Sequence, residues 1–188
     1  MINVDAMAKQ AYVPFTDGRL EYLAATQPYR RLLFLLVERM RPEAALEIGM
    51  DYGECSALMA AACVSTMVFG VDNRPLVPES LARQHANFRF VHCESLGAAE
   101  VVRKLLGAHR IGIVLQDSSH HAELSRLEWE YYRPLLADEF VWVCDDVTPA
   151  FRTADEPRSM EDYFDALPGT KRKFPGLHWG NVIGVVTP

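Results

Sequence analysis

Acidic residues close three of the five short apolar runs in this sequence, and that rhythm narrows the fold more than any other feature. Asp72 follows the run 67–71, Asp117 follows 111–116, and Asp145 with Asp146 follows 140–144; the remaining runs are 45–48 and 88–91. Each is too short for a stable helix and apolar enough for a buried strand. Helical patterning fills the spaces between them, over 56–63, 79–86, 98–106 and 123–132, and a leucine-rich helix over 29–40 precedes the first. Strands alternating with helices need crossover connections, which place helices on both faces of a parallel sheet. The expected class is therefore α/β, with a mostly parallel central sheet. After Asp146 the rhythm breaks. Residues 147–170 are polar, with Pro149, Pro157 and Pro168 around a short helix at 160–166, and are the expected cover over a site. Residues 171–188 read as two strands turning near Gly180-Asn181, an antiparallel C-terminal edge.

With 188 residues, 49% of them apolar, the chain suits one domain over 1–188. It divides into a helical segment at 1–42, a sheet core at 43–146 and a variable loop with terminal strands at 147–188. Nineteen Lys and Arg against 25 Asp and Glu leave a net charge of −6, which disfavours nucleic acid as a partner because phosphate binding needs a basic face. The longest apolar run, 32–37, is far below the roughly 20 residues of a membrane span. The first residues lack a basic-then-apolar leader pattern, and Cys55, Cys63, Cys93 and Cys144 form no CxxC pair. A cytoplasmic location with reduced thiols is the expectation.

The turn Glu47-Ile48-Gly49-Met50-Asp51-Tyr52-Gly53 joins a strand to a helix. Glycines there permit positive φ and close ligand approach, and the helix N-terminus offers free N–H groups. Asp51 occupies the second glycine position of the dinucleotide fingerprint, so the turn is not G-x-G-x-x-G. Glu47 suits an ammonium group better than a pyrophosphate; an ordinary strand-to-helix turn would also carry these residues. Asp72 stands where an acid accepts both ribose hydroxyls of a nucleoside, or simply ends a strand. Asp117, Asp145 and Asp146 should converge at the carboxyl edge of the sheet. Their repulsion calls for protons or a hard divalent cation, Mg²⁺ or in a looser site Ca²⁺, unless they cap helices or pair with Arg133 or Arg152. His120 is placed to act as a base, whereas His121 reads as an exposed residue in a helix N-cap segment. His178 and Trp179 either line the site or cover the sheet edge.

Together these residues resemble the class I S-adenosylmethionine-dependent methyltransferases, whose fold is Rossmann-like. LEIGMDYGECSAL is similar to their first motif, and Asp72 matches their ribose-binding acid. The segment from Ile111 to Asp146 resembles a metal-dependent branch containing catechol O-methyltransferase-like enzymes, macrolide sugar O-methyltransferases and proteins labelled cephalosporin hydroxylases. The resemblance implies that Glu47, Gly49, Gly53 and Cys55 surround the methionine part of S-adenosylmethionine. It puts Asp72 at the ribose and Glu94 and Ser95 beside the adenine, and it counts Asp117 among the cofactor-binding residues and, with His120, among the catalytic ones. Asp117, Asp145 and Asp146 match metal ligands, for Mg²⁺ or another divalent cation, and His120 matches the base. Cys55 stands where the family has Ser or Thr, and Ser118-Ser119 where it has Gly-Asp. The implied activity is metal-assisted methyl transfer to a hydroxyl of a small molecule, with no membrane partner and the oligomeric state open. The competing readings are a catalytically inactive nucleoside-binding protein and a metal-independent transferase on the same fold.

Overall fold

The structure, a computed structural model, describes residues 2–13, 27–76, 79–149, 157–178 and 181–188. Helix α1 (Val4–Ala11) starts at Asn3, whose Oδ1 accepts the Ala6 N–H at 3.0 Å. Helix α2 (Pro28–Met40) has proline in its first turn, where a missing N–H costs nothing. It ends at Arg41, which turns left-handed (φ 48°) and donates its N–H to the Val37 carbonyl. The buried Arg31 ties the two helices together, its Nε donating to the Ala11 carbonyl at 2.6 Å.

From there the chain alternates: β1 (Ala44–Ile48), α3 (Glu54–Ala62), β2 (Met67–Asp72), α4 (Glu79–Gln84), β3 (Phe88–His92), α5 (Ser95–Leu106), β4 (Ile111–Gln116), α6 (Ala122–Tyr132) and β5 (Leu136–Cys144). Helix α7 (Met160–Ala166) and the strands β6 (Thr170–His178) and β7 (Asn181–Thr187) follow. The seven strands form one sheet in the order β3-β2-β1-β4-β5-β7-β6. The first five run parallel, while β7 pairs antiparallel with both β5 and β6. This is the expected α/β architecture with its antiparallel C-terminal edge.

Strand side chains alternate between two apolar layers. Ile113, Leu115, Val141 and Val143 pack with Leu33, Leu36 and Met59 on one face. Val114, Trp142 and Cys144 pack with Val102, Trp129 and Phe164 on the other. Each fully buried side chain of this size contributes about 1.5–3 kcal/mol, which is what holds the short strands. Strand β5 begins at Leu136, before the expected 140, because its first half is exposed at Asp138 and Glu139 and so carries no apolar pattern. Helix α1 is short and rich in alanine, and only its packing on α2 identifies it. The turn expected near Gly180-Asn181, and most of 147–156, lie partly or wholly outside the described residues. All four cysteines are free, and among the described residues no helix is long and apolar enough to cross a membrane.

The chain winds outward from β1 to β3 and then crosses back to β4, so strand order reverses between β1 and β4. In open α/β sheets the crevice at such a reversal is the ligand site. There the two loops nearly touch: the Asp117 N–H donates to the Ile48 carbonyl at 2.9 Å, and a Cβ at Gly49 (φ 84°) would lie 2.1 Å from the Asp117 carbonyl oxygen.

The antiparallel edge has its own steric limit. Gly184 of β7 lies beneath the Phe164 ring, and a Cβ there would meet that ring at 2.5 Å and Val147 at 2.7 Å. Gly184→Ala is therefore expected to lower stability by about 1–3 kcal/mol. Urea denaturation checks this, and an unchanged midpoint would show that α7 is not seated on β7 as described.

Candidate functional site

Four strand ends build the site. After β1, Gly49, Asp51 (φ 47°) and Gly53 (φ 80°) all turn left-handed, which swings the chain back to start α3 at Gly53. Asp72 ends β2 almost fully buried, Oδ2 accepting the Asp51 N–H and Oδ1 the Arg74 N–H, each at 2.8 Å. Burial alone would raise its carboxyl, but those two N–H groups and the Arg74 guanidinium outweigh it and hold the pKa below the usual range. Asp72 thus stays ionised with lone pairs to spare, as a hydroxyl acceptor must. The exposed Arg74 bridges its two acids, 3.1 Å from Asp51 and 3.4 Å from Asp72.

A cavity of about 460 Å³ opens beside these groups, lined by Gly49, Asp72, Glu94, Ser95 and Asp117 among others. A smaller one, about 100 Å³, is lined by Tyr29, Arg30, Glu47, Gly53 and Cys55. The two share Gly49, Asp51 and Asp117 and so adjoin. All eight cofactor-binding candidates thus line one of two neighbouring cavities. A larger cavity, about 660 Å³, opens at the amino ends of the strands around Met40, Pro42 and Arg110. It lies away from the strand-order reversal and its converging acids.

Glu47 is buried, and its Oε2 accepts the Ser56 hydroxyl at 2.5 Å. Burial pushes the Glu47 carboxyl up to about 8, with the negative charge of Asp117 adding to the shift. Cys55 is also buried, its Sγ donating to the Tyr29 hydroxyl at 3.6 Å, and burial raises the thiol well above its ordinary value.

Asp117, Asp145 and Asp146 do meet at the carboxyl edge, and two histidines enter with them. His120 and Asp146 are both left-handed, with φ of 56° and 50°. That conformation sets the His120 ring between two acids, Nε2 3.1 Å from Asp117 Oδ1 and Nδ1 3.2 Å from Asp146 Oδ2. His178, at the end of β6, places Nδ1 3.0 Å from Asp145 Oδ1, and its ring packs against that of Tyr29, centroids 4.5 Å apart and planes tilted by 32°. Among the described residues neither Asp145 nor Asp146 pairs with an arginine, and Arg152 lies outside the described residues, as does Trp179. Burial raises the Asp145 and Asp146 carboxyls. Hydrogen bonds to Asp117 and Asp145 raise the His120 and His178 imidazoles respectively. Two overlapping groups bring their ligand atoms within 4.8 Å: Asp117, His120 and Asp145, and Asp145, Asp146 and His178. Asp146 Oδ1 is buried with no hydrogen-bond partner among the described residues, so a hard cation would satisfy an atom now orphaned. The donor set therefore fits a divalent ion. His121 is exposed at the N-cap position of α6.

Three residues escaped sequence reasoning. Glu128 of α6 is fully buried, its Oε2 accepting from Gln116 at 2.8 Å and Ser118 at 2.9 Å. Its spacing within α6 places it on the apolar face, a detectable anomaly for an acid. Tyr29 and Arg30 reach the site from the first turn of α2, before the sheet begins, and no local motif marks them.

The methyltransferase domain family matches residues 46–147, more than half of the chain. No curated protein matches it by sequence. The fold is similar to that of an O-methyltransferase from Bacillus cereus solved with SAH, at 13% identity and a TM-score of 0.69 over 98% of this chain and 88% of that one. It is also similar to the O-methyltransferase TomG from Streptomyces achromogenes, solved with SAM, at 16% identity and 0.69 over 100% and 91%. For the SAH-bound Podospora anserina methyltransferase PaMTH1 the figures are 10% and 0.63 over 98% and 87%. At these identities the structural likeness speaks for a shared Rossmann-like fold, and the sequence match to the domain carries the assignment: the chain belongs to the methyltransferase domain family.

Proposed function

We propose that the protein is an S-adenosylmethionine-dependent O-methyltransferase that methylates a hydroxyl of a small molecule with the help of a divalent cation. The observation that carries this reading is the meeting of two cavities and an acid cluster at Asp117. The larger cavity has the volume and the buried Asp72 that a nucleoside needs, and the smaller has the carboxylates that an ammonium needs. S-adenosylmethionine, when bound, supplies a methyl group on a sulfonium. A divalent cation held by Asp117, Asp145 and Asp146, Mg²⁺ or another, supplies positive charge that lowers the pKa of an acceptor hydroxyl.

The chain's own residues do the rest. Asp72 accepts the ribose hydroxyls, Glu94 and Ser95 flank the base, and Gly49 and Gly53 leave room for the backbone to approach. His120, which gives up a proton when a cation neutralises Asp117 and Asp146, takes the acceptor's proton at the ring nitrogen so released, and the surrounding acids stabilise the imidazolium that results. Alignment of acceptor and donor supplies most of the rate enhancement. A cytoplasmic location, and an acceptor that is neither membrane nor nucleic acid, complete the reading.

Calorimetric titration of S-adenosylhomocysteine, with Mg²⁺ and then with chelator, tests the cofactor. Saturable micromolar binding, about −8 kcal/mol, is expected in both conditions. No binding in either would overturn the proposal, and full turnover in excess chelator would remove the metal from it. Asp146→Ala is expected to abolish transfer to hydroxylated acceptors while S-adenosylhomocysteine affinity stays within a few-fold.

Glu47 adds a pH signature. A carboxyl raised to about 8 holds its proton at neutral pH, and an ammonium bound beside it would lower that value. Binding should then expel a proton, and affinity should rise between about pH 6 and 8. Titrations in buffers of different ionisation heat read the proton count directly. Release in the wild type and none in Glu47→Gln is the expected result.

A further inference from the structure

The family's first motif has a serine or threonine at the position of Cys55, and the smaller cavity has an unusual replacement close by. Arg30 supplies a guanidinium to a lining that otherwise carries the carboxyl groups of Glu47, Asp51, Glu54 and Asp117. Its side chain is 22% exposed, held by Nη2 at 2.5 Å from Glu54 and by Nε, which donates to the Tyr29 hydroxyl at 3.1 Å. The Glu54 side chain is 63% exposed, so this ion pair is weak and exchangeable. Tyr29 is 3% exposed, and its hydroxyl also accepts from Cys55 Sγ. Already accepting two hydrogen bonds, that oxygen keeps its own hydrogen to donate, and Tyr29 is part of the cavity lining. Cys55 itself has a weak donor committed to Tyr29, so it offers a carboxylate nothing comparable to a hydroxyl.

A cavity of about 100 Å³ whose lining carries acids together with a guanidinium and a phenol matches a zwitterion. A neutral ligand would gain nothing from the charges, and a lone cation would make no use of Arg30. The ammonium of an amino acid pairs with Glu47 and Asp117, and the carboxylate takes the planar fork of Arg30. We infer that Arg30, assisted by the Tyr29 hydroxyl, recognises the amino acid carboxylate of the cofactor in place of the hydroxyl missing at Cys55. This rests on the S-adenosylmethionine reading proposed above. Arg30 is thus a binding determinant supplied by α2, outside the segment that matches the family. The first turn of α2 is held in place by the buried Tyr29, whose ring packs against His178, so the carboxylate grip is connected to the acid cluster through an aromatic contact.

The test compares two nucleosides, S-adenosylhomocysteine and 5′-methylthioadenosine, which lacks the amino acid end. Arg30→Met is expected to weaken S-adenosylhomocysteine binding by about 10- to 100-fold, the range for a lost charged hydrogen bond, while 5′-methylthioadenosine stays within about threefold. Arg30→Lys should recover part of the loss. Glu54→Gln, which frees the guanidinium from its surface partner, should tighten S-adenosylhomocysteine binding by about two- to threefold. The inference is overturned if Arg30→Met weakens both nucleosides equally or neither. It is also overturned if Glu54→Gln weakens S-adenosylhomocysteine as much as Arg30→Met does, because the ion pair would then be the functional element. A wild-type protein that binds neither nucleoside overturns the cofactor reading itself. One that binds both, with Arg30→Met discriminating neither, leaves that reading standing and removes only the role of Arg30.

Discussion

The end of β4 is held by one buried amide, and the geometry of the site depends on it. Gln116 Nε2 donates to the Ser125 carbonyl at 3.0 Å and to Glu128 at 2.8 Å, while Oε1 accepts from Trp142 Nε1 at 3.1 Å and Tyr163 at 2.8 Å. Those partners lie on α6, β5 and α7, so a single side chain fixes three elements relative to the strand that carries Asp117. Leaving any of these buried groups unpaired would cost about 1–3 kcal/mol, and the network makes the arrangement close to all-or-none. Asp117 and the loop that carries His120 are the first residues to emerge from this anchored position.

The fold was legible because strand ends and glycine turns are local signals. Five apolar runs of strand length, separated by helical patterning, leave little choice but a parallel sheet. The acids at 72, 117, 145 and 146 could be read because an ionisable group next to a buried run needs a reason to be there. Hidden features arise where distant segments meet. Gln116 reads as the last residue of a strand, and nothing adjacent announces that Trp142 and Tyr163 converge on it. His178 was visible only as a residue that either lines the site or covers an edge. The antiparallel return of β6 along β7 brings it to Asp145. Tyr29 and Arg30 sit in a strongly apolar helix whose pattern says only that it packs on the sheet.

The acid cluster shows how the protein tolerates buried charge. Asp145 and Asp146 are 1% and 7% exposed, and burial works against their ionisation. Each has a histidine at hydrogen-bond distance, and each histidine is raised in turn by the acids it touches. Protonated histidines can therefore stand in for a cation by partly neutralising the carboxylates. The compensation is incomplete, since Asp146 Oδ1 keeps no partner among the described residues. A divalent ion and the imidazolium protons are alternatives for the same negative field, and binding one would favour release of the other.

Asp117 is the residue at which these functions meet. It lines both cavities and belongs to the first acid–histidine group, and its backbone is bonded to the end of β1. On the proposed reading, the nucleoside lies on one side of it, the amino acid end of the cofactor on another and the cation on a third. The reacting methyl group would then have to pass close to Asp117, where the cofactor cavities face the metal ligands. The narrow crossing of the two loops gives this a structural basis, because Gly49 leaves no room for Asp117 to shift toward β1. A residue so confined cannot move toward β1, and that restriction helps turn a set of separate binding contacts into an aligned site.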